Sequence, residues 1–86
     1  MENTYTIGSE LGIHVRPAKL IVEAVKKYAG TEVFLEKDGK RVAAKSLVNV
    51  LTLGAKHGDS VIVVTEGDQA EAAQQEIGAI LAEHAK

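Results

Sequence analysis

The sequence feature that most constrains the fold is Pro17, the single proline of the chain, which separates an apolar-alternating segment from a helical pattern. Proline suits the first turn of an α-helix, because its missing N–H would have no intrahelical partner there. The pattern therefore predicts a helix start, with His14 just before it. The N–H groups of Val15, Arg16 and Ala18 would then be free, and the positive end of the helix dipole would lie beside the imidazole.

Arg16 adds a fork-shaped cation to this predicted helix start. The N–H groups, the dipole and the guanidinium together predict an anion site with an imidazole at its edge. A positive charge in the first turn of a helix is locally unfavourable, which favours a functional reason for Arg16. The imidazole of His14 could accept a phosphoryl group as a nucleophile or simply hold an anion, and the residues alone leave both readings open.

The length of 86 residues, the lack of cysteine and the net charge of −2 restrict the possible functions. A chain this short buries a little over ~60% of its unfolded surface, so we expect one thin core and no enclosed active site. Without cysteine there are no disulfides, no thiol catalysis and no cysteine-type zinc sites. The histidines, His14, His57 and His84, lack the spacing of zinc ligands, so we expect no metal and no cofactor.

The same composition bears on partners and location. A net charge of −2 argues against a general nucleic-acid binder, which usually carries a basic excess. No N-terminal segment has the pattern of a signal peptide, and no apolar run approaches the ~20 residues that span a membrane. We therefore expect a cytoplasmic protein with no direct membrane insertion.

Hydrophobic periodicity predicts seven elements in the order β-α-β-β-α-β-α. The expected strands are residues 2–8, 31–37, 40–43 and 60–66, and the expected helices are residues 17–29, 47–53 and about 69–84. Asp38 and Gly39 predict a type I′ hairpin turn, and Ser46 is the expected N-cap of the second helix. Asp68, with Glu71 three residues later, predicts a capping-box-like start of the third helix. This order predicts an α+β fold, a two-layer open-faced sandwich in which a four-stranded antiparallel sheet carries three helices on one face.

Several segments resemble the HPr family, the histidine-containing phosphocarrier proteins of the bacterial sugar phosphotransferase system. Residues 12–18 match the active-site signature of the family, and residues 45–47 with the apolar helix after them match its second landmark. Residues 33–40 and 67–68 fit as well. The resemblance covers essentially the whole chain and implies one HPr-like domain over residues 1–86. One departure is Leu11, which stands where the family usually has a small polar residue.

The resemblance implies a phosphoryl-transfer intermediate rather than an enzyme with turnover of its own. Enzyme I, phosphorylated from phosphoenolpyruvate, would pass a phosphoryl group to Nδ1 of His14, and the carrier would pass it to the IIA domain of a sugar permease. Arg16 would neutralise part of the phosphoryl charge, and N–H groups at the helix start marked by Pro17 would bind its oxygens. Such a transfer needs positioning and electrostatics more than covalent machinery, so a small open site suffices.

Ser46 matches the position that the HPr kinase/phosphorylase phosphorylates in many Gram-positive members of the family. The phosphorylated form serves there as corepressor for a LacI-type regulator of carbon catabolite genes. A phosphate on this N-cap would favour the helix start but would place a charge of about −2 beside the docking surface. Residues 47–51 differ from the form common in Gram-positive proteins, so the regulatory role stays open.

Apolar side chains off the main helical stripes predict a docking surface around His14. We expect four of them to be exposed: Leu20, Leu47, Val48 and Leu51. Basic side chains would rim this surface and steer acidic partners to it: Lys19, Lys26, Lys27 and Lys45. A second apolar group is expected on the outer face of the sheet: Phe34, Ile62 and Val64. It is either tolerated exposure in a monomer, the interpretation that we favour, or a self-association surface.

Three other functions compete with the sugar phosphocarrier. One is a regulatory relative that acts through Ser46, and another is a carrier of the nitrogen-related branch of the phosphotransferase system. The third is a small phosphatase with a nucleophilic histidine, which lacks an acid at a fixed spacing from His14. His57 and His84 are interpreted as a turn residue and a helix-end residue.

Overall fold

The computed structural model describes residues 1–83 and has the predicted order of elements. The strands β1 to β4 comprise Glu2–Thr6, Thr31–Lys37, Lys40–Ala43 and Ser60–Gly67. The helices α1 to α3 comprise Val15–Lys27, Leu47–Thr52 and Ala70–Ala82. The prediction for His84 lies outside the described residues. Within residues 1–83, no helix is long and apolar enough to cross a membrane.

The strands form one antiparallel sheet in the order β1-β4-β2-β3. Its register places Leu35 opposite Val63 on one side and Val42 on the other, so these three side chains share the face that meets the helices. Alternation along each strand sends every second side chain to the other, helix-free face. The predicted α+β open-faced sandwich is therefore confirmed.

Aliphatic side chains of the sheet and the helices form the core, as the shortage of aromatic residues requires. One polar side chain, Gln74 of α3, is buried among them with 1% exposure. Its Nε2 donates to the carbonyl oxygen of Val63 at 2.7 Å, and its Oε1 accepts from the Tyr5 hydroxyl at 2.9 Å. The sequence pattern had not indicated this residue, because glutamine is usually found on the surface.

The outer face of the sheet is less exposed than expected. Val64 is only 7% exposed, because it lies in an inner strand between the directly opposite Phe34 and Glu2. The Arg41 guanidinium lies 5.6 Å from the centroid of the Phe34 ring, a cation–π geometry that partly covers this ring. The prediction of an exposed patch is therefore wrong for Val64, and Phe34 and Ile62 are half-buried.

Local signals fixed two of the element ends. Asp38 and Gly39 have φ values of 51° and 80°, as a type I′ hairpin turn requires. Ser46 is the N-cap of α2, and its Oγ accepts from the N–H of Asn49 at 3.3 Å. Both predictions are confirmed because the residues that decide these ends are sequence neighbours.

The start of α3 differs from the prediction. Its N-cap is Gln69 rather than Asp68, and no side chain of the cap residue closes the helix end. The N–H of Gln69 instead donates to the Thr31 hydroxyl at 3.0 Å. The Thr31 hydroxyl of β2 thus accepts from the N–H of the N-cap residue, the donor that the acidic side chain of a capping box would have bound. The predicted role of Asp68 as the N-cap is therefore wrong.

Candidate functional site

His14 is the N-cap of α1, which begins at Val15, two residues before Pro17. The imidazole is half-buried and makes no capping hydrogen bond to its own helix. The N–H of Ala18 donates to the His14 carbonyl oxygen at 3.1 Å, so the expectation that it would be free is wrong. Pro17 has no N–H, so the first-turn donors without an intrahelical acceptor are the N–H groups of Val15 and Arg16, and neither donates to another backbone group within residues 1–83.

The loop before His14 is held against the segment that follows α2. The N–H of Ile13 donates to the Ala55 carbonyl oxygen at 3.0 Å, and Ile13 is buried. Gly12 has a φ of 72°, and a Cβ on it would lie 2.5 Å from the same Ala55 oxygen. Only glycine fits this approach, so the packing fixes the backbone that presents His14.

Within the described residues, neither His14 nor Arg16 forms an ion pair. The side chain of Arg16 is exposed. In the same part of the chain, no group of three or more histidine, aspartate or glutamate side chains could hold a metal ion. The Arg16 guanidinium and two backbone donors thus belong to the same helix start as the imidazole, and groups of this kind can hold a phosphoryl-sized anion.

The four apolar residues predicted to be exposed fall into two pairs. Leu20 and Val48 are exposed at 44% and 66%. Leu47 and Leu51 are half-buried and pack against the core, so the expectation of exposure is wrong for them. The short helix α2 therefore presents Val48 to solvent and uses its other large side chains for packing.

Two further apolar side chains, close to His14 in sequence, are exposed. Leu11 is 69% exposed and Val15 is 55% exposed. Helical spacing places Val15 on the same stripe as the buried Ala18 and Val25, so no sequence signal marks its exposure. Leu11 carried a signal, because an apolar residue stands there where the family usually has a polar one. The apolar surface around His14 is thus wider than the sequence predicted.

The basic rim is narrower than predicted. Lys27 Nζ lies 2.7 Å from Glu76 Oε2 of α3, and the Tyr28 hydroxyl donates to Glu76 Oε1 at 2.6 Å. These hydrogen bonds lower the pKa of Glu76 and raise the pKa of Tyr28 and of Lys27. Lys27 therefore links α1 to α3, although its side chain remains 62% exposed, whereas Lys19, Lys26 and Lys45 are exposed and form no ion pair within residues 1–83.

Helices α1 and α2 are in contact, which brings the second predicted landmark next to the first. Ser46 is half-exposed at the start of α2, and Lys45 before it is exposed. His57 lies in an exposed turn before β4.

The fold and the site define a class of small open-faced sandwich proteins that present an N-cap histidine beside an arginine. The family model with the description "PTS HPr component phosphorylation site" matches residues 1–83 of this chain. The chain belongs to the HPr family.

Curated relatives and solved structures agree with this assignment. The chain is 37% identical to the phosphocarrier protein HPr of Borreliella burgdorferi over 70 residues, which cover 81% of this chain and 80% of that protein. It is 35% identical to the HPr-like protein Crh of Bacillus subtilis over 72 residues, 84% of each chain. The crystal structure of the phosphocarrier protein HPr from Bacillus anthracis superposes with a TM-score of 0.88 at 31% identity, covering 94% of this chain and 95% of that one.

Proposed function

We propose that this protein is the phosphocarrier of a phosphoenolpyruvate-dependent sugar phosphotransferase system. It accepts a phosphoryl group on His14 from enzyme I and passes it to the IIA domains of sugar permeases. The observation that carries the proposal is the position of His14 as the N-cap of α1, beside the exposed Arg16. Residues 1–86 act in this role as one cytoplasmic, monomeric domain.

The transfer step uses few groups. Nδ1 of the neutral His14 imidazole attacks phosphorus, and the bond from phosphorus to the donor breaks as the new bond to nitrogen forms. The phosphoryl oxygens then lie by the start of α1, where the N–H groups of Val15 and Arg16 donate to them and the helix dipole favours negative charge. Arg16 neutralises part of this charge, and Pro17 starts the helix without adding a donor that would need a partner.

The docking surface for these partners is apolar at its centre and basic at its rim. Its exposed apolar side chains are Leu11, Val15, Leu20 and Val48, and the half-buried Leu47 and Leu51 support them. The exposed cations of the rim are Lys19, Lys26 and Lys45. A surface of this kind binds a partner with an apolar patch that is surrounded by acidic side chains.

Incubation with enzyme I and phosphoenolpyruvate, followed by intact-mass analysis, tests the loading step. We expect one phosphoryl group that is labile in acid and stable in base, and none on His14→Ala. His57→Ala is the matched control, because it removes an exposed histidine from a turn and should load like the wild type. A wild-type protein that takes no phosphoryl group, or takes it elsewhere, would rule out the proposal.

A second, regulatory role belongs to Ser46, which is half-exposed at the N-terminus of α2. The HPr kinase/phosphorylase would phosphorylate its hydroxyl, and the product would bind a LacI-type catabolite regulator. The phosphate accepts from N–H groups at the helix start and adds a charge of about −2 next to Val48, which weakens docking of acidic partners. Incubation with the kinase and ATP should give an acid-stable phosphate that Ser46→Ala lacks and that Ser60→Ala retains.

A further inference from the structure

The hydroxyl of Ser9 is the exception among the buried polar side chains. Ser9 is 5% exposed, and its Oγ has no hydrogen-bond partner in the described part of the chain. The other buried polar side chains of residues 1–83, Thr31, Thr65 and Gln74, all form hydrogen bonds. A buried hydroxyl without a partner is unfavourable, so this one calls for a bound group.

The backbone around Ser9 is fixed between the end of α3 and the loop that carries the site. The N–H of Gly8 donates to the Leu81 carbonyl oxygen at 2.9 Å, and the N–H of Gly12 donates to the Ser9 carbonyl oxygen at 3.0 Å. A Cβ on Gly8 would clash with the Ala82 carbonyl oxygen, so this loop approaches the helix end closely. These contacts hold the backbone of Ser9 in place, and its hydroxyl oxygen is buried there.

Ser9 is one of the residues that line a small cavity at the start of α1. The cavity has a volume of about 30 Å³, and its lining residues are Ser9, Arg16, Pro17, Leu20, Ile80 and Glu83. One water molecule needs roughly 10–15 Å³ measured in this way, together with two or more polar partners. The volume fits one or two water molecules and no larger ligand.

The charges around this cavity favour water over an anion. The positive end of α1 and the negative end of α3 meet here, because α1 begins at Val15 and α3 ends at Ala82. The guanidinium of Arg16 can only donate and an ionised Glu83 carboxylate can only accept, whereas the Ser9 hydroxyl does both. A water molecule, which also donates and accepts, can serve all three groups, while an anion would meet the negative end of α3.

We propose that the Ser9 hydroxyl binds an ordered water molecule in this cavity, and that the water positions Arg16 for phosphoryl transfer at His14. Ser9 is then a positioning residue, since it acts on the phosphoryl group only through Arg16. The water site itself depends on no assumption about activity, whereas the positioning role rests on the proposed phosphocarrier function.

A high-resolution crystal structure and thermal unfolding test the water site. We expect a water molecule within hydrogen-bond distance of Ser9 Oγ and of the Arg16 guanidinium, and its loss in Ser9→Ala. The melting temperature of Ser9→Ala should fall, because a satisfied hydroxyl has been removed, whereas Ser60→Ala at an exposed strand position should leave it unchanged. A dry cavity, or a melting temperature that rises in Ser9→Ala as removal of an unpartnered hydroxyl predicts, would overturn the proposal.

The rate of phosphoryl transfer from enzyme I tests the positioning role. We expect Ser9→Ala to lower the second-order rate constant about two- to tenfold, the factor that corresponds to one hydrogen bond of ordinary net strength. The effect should vanish in an Arg16→Ala background, and an equal loss in both backgrounds would show that Ser9 does not act through Arg16.

The two proposals fail in different ways. If the wild type accepts a phosphoryl group and Ser9→Ala accepts it equally fast, only the positioning role of Ser9 is wrong. If the wild type accepts none, the phosphocarrier function and the positioning role both fall, and the crystal structure still decides on the water.

Discussion

At the scale of single residues, Gln74 connects three parts of the core that are distant in sequence. Its Nε2 donates to the Val63 carbonyl oxygen in β4, and its Oε1 accepts from the Tyr5 hydroxyl in β1. Its Nε2 also lies 3.2 Å from the Met1 carbonyl oxygen, which accepts from the N–H of Thr65 as well. The amide satisfies groups that a purely aliphatic core would leave without partners.

We predict that Gln74→Leu destabilises the protein although it makes the core more apolar. The Val63 carbonyl oxygen loses its side-chain donor, and the Tyr5 hydroxyl loses the nearer of its two acceptors, keeping only the backbone carbonyl oxygen of residue 74 at 3.2 Å. Leaving buried polar groups without partners costs about 1–3 kcal/mol of the free energy of unfolding. Urea denaturation measures this change. Gln75→Leu is the matched control, because Gln75 is exposed on the same helix and its replacement should alter stability by no more than ~0.5 kcal/mol. Equal effects of the two substitutions would show that the network is dispensable.

At the scale of elements, an acid–base cluster joins the end of α1 to the middle of α3. Glu76 accepts a hydrogen bond from the Tyr28 hydroxyl and forms an ion pair with Lys27. Lys27 is the last residue of α1 and Tyr28 is its C-cap, so the single carboxylate of Glu76 holds the end of that helix. Ile21 and Val25 of α1 are buried in the hydrophobic core and also hold this helix in place.

The lowered pKa of Glu76 predicts a dependence of stability on pH. Because its pKa is lower in the folded protein than the ordinary value of 4.5, its contribution is present above pH 4.5 and is lost as the pH falls through the folded value. We expect the free energy of unfolding to fall less steeply with acid in Glu76→Gln than in the wild type. The same substitution at the exposed Glu32 measures the effect of removing one negative charge from the surface. Parallel curves for Glu76→Gln and the wild type would contradict the account.

Local sequence signals predicted most elements, and tertiary contacts explain where they failed. The hairpin turn at Asp38 and the cap at Ser46 depend only on neighbours in sequence, so their residues predict them. The start of α3 depends on the Thr31 hydroxyl, which belongs to another strand and which no local pattern could indicate. The reason for Gly78 is also a tertiary contact, whereas the sequence shows only a residue that weakens a helix there. In the structure, the Tyr5 ring occupies the space that a Cβ on residue 78 would need.

The same distinction separates the parts of the candidate site. The imidazole at the helix start was predictable, because His14, Arg16 and Pro17 lie within one turn of chain. The exposure of Val15 and Leu47 depends on how α1 and α2 pack, and here periodicity indicated the wrong side chains. Ser9 lacked a signal altogether, because its burial results from the approach of the α3 end.

At the scale of the whole molecule, the site is a surface and not a pocket. The helices cover one face of the sheet, and the loop that carries His14 lies where α1 begins. If His14 carries a phosphoryl group as we propose, that group lies at the exposed start of α1, and docking of a partner completes the site for transfer.

We predict that Val48→Glu slows phosphoryl transfer from enzyme I roughly tenfold, the effect of losing one well-packed apolar contact at an interface. Val48 is 66% exposed, so folding should remain cooperative, whereas the half-buried Leu47 would confound docking with stability. Stopped-flow or quench-flow transfer assays measure the rate. Ala72→Glu adds the same charge at an exposed position of α3 and should transfer at the wild-type rate. Equal rates for the two variants would place the docking surface elsewhere.

A single-turnover chase measures whether His14 relays a phosphoryl group between two proteins, as we propose. The protein is loaded from enzyme I and phosphoenolpyruvate, purified, and mixed with an IIA domain, and the intact masses of both proteins are followed with time. We expect one phosphoryl group to leave His14 and to appear on the IIA domain, without release of inorganic phosphate. If the loaded protein keeps its phosphoryl group, or releases it to water while the IIA domain gains none, His14 is not a relay.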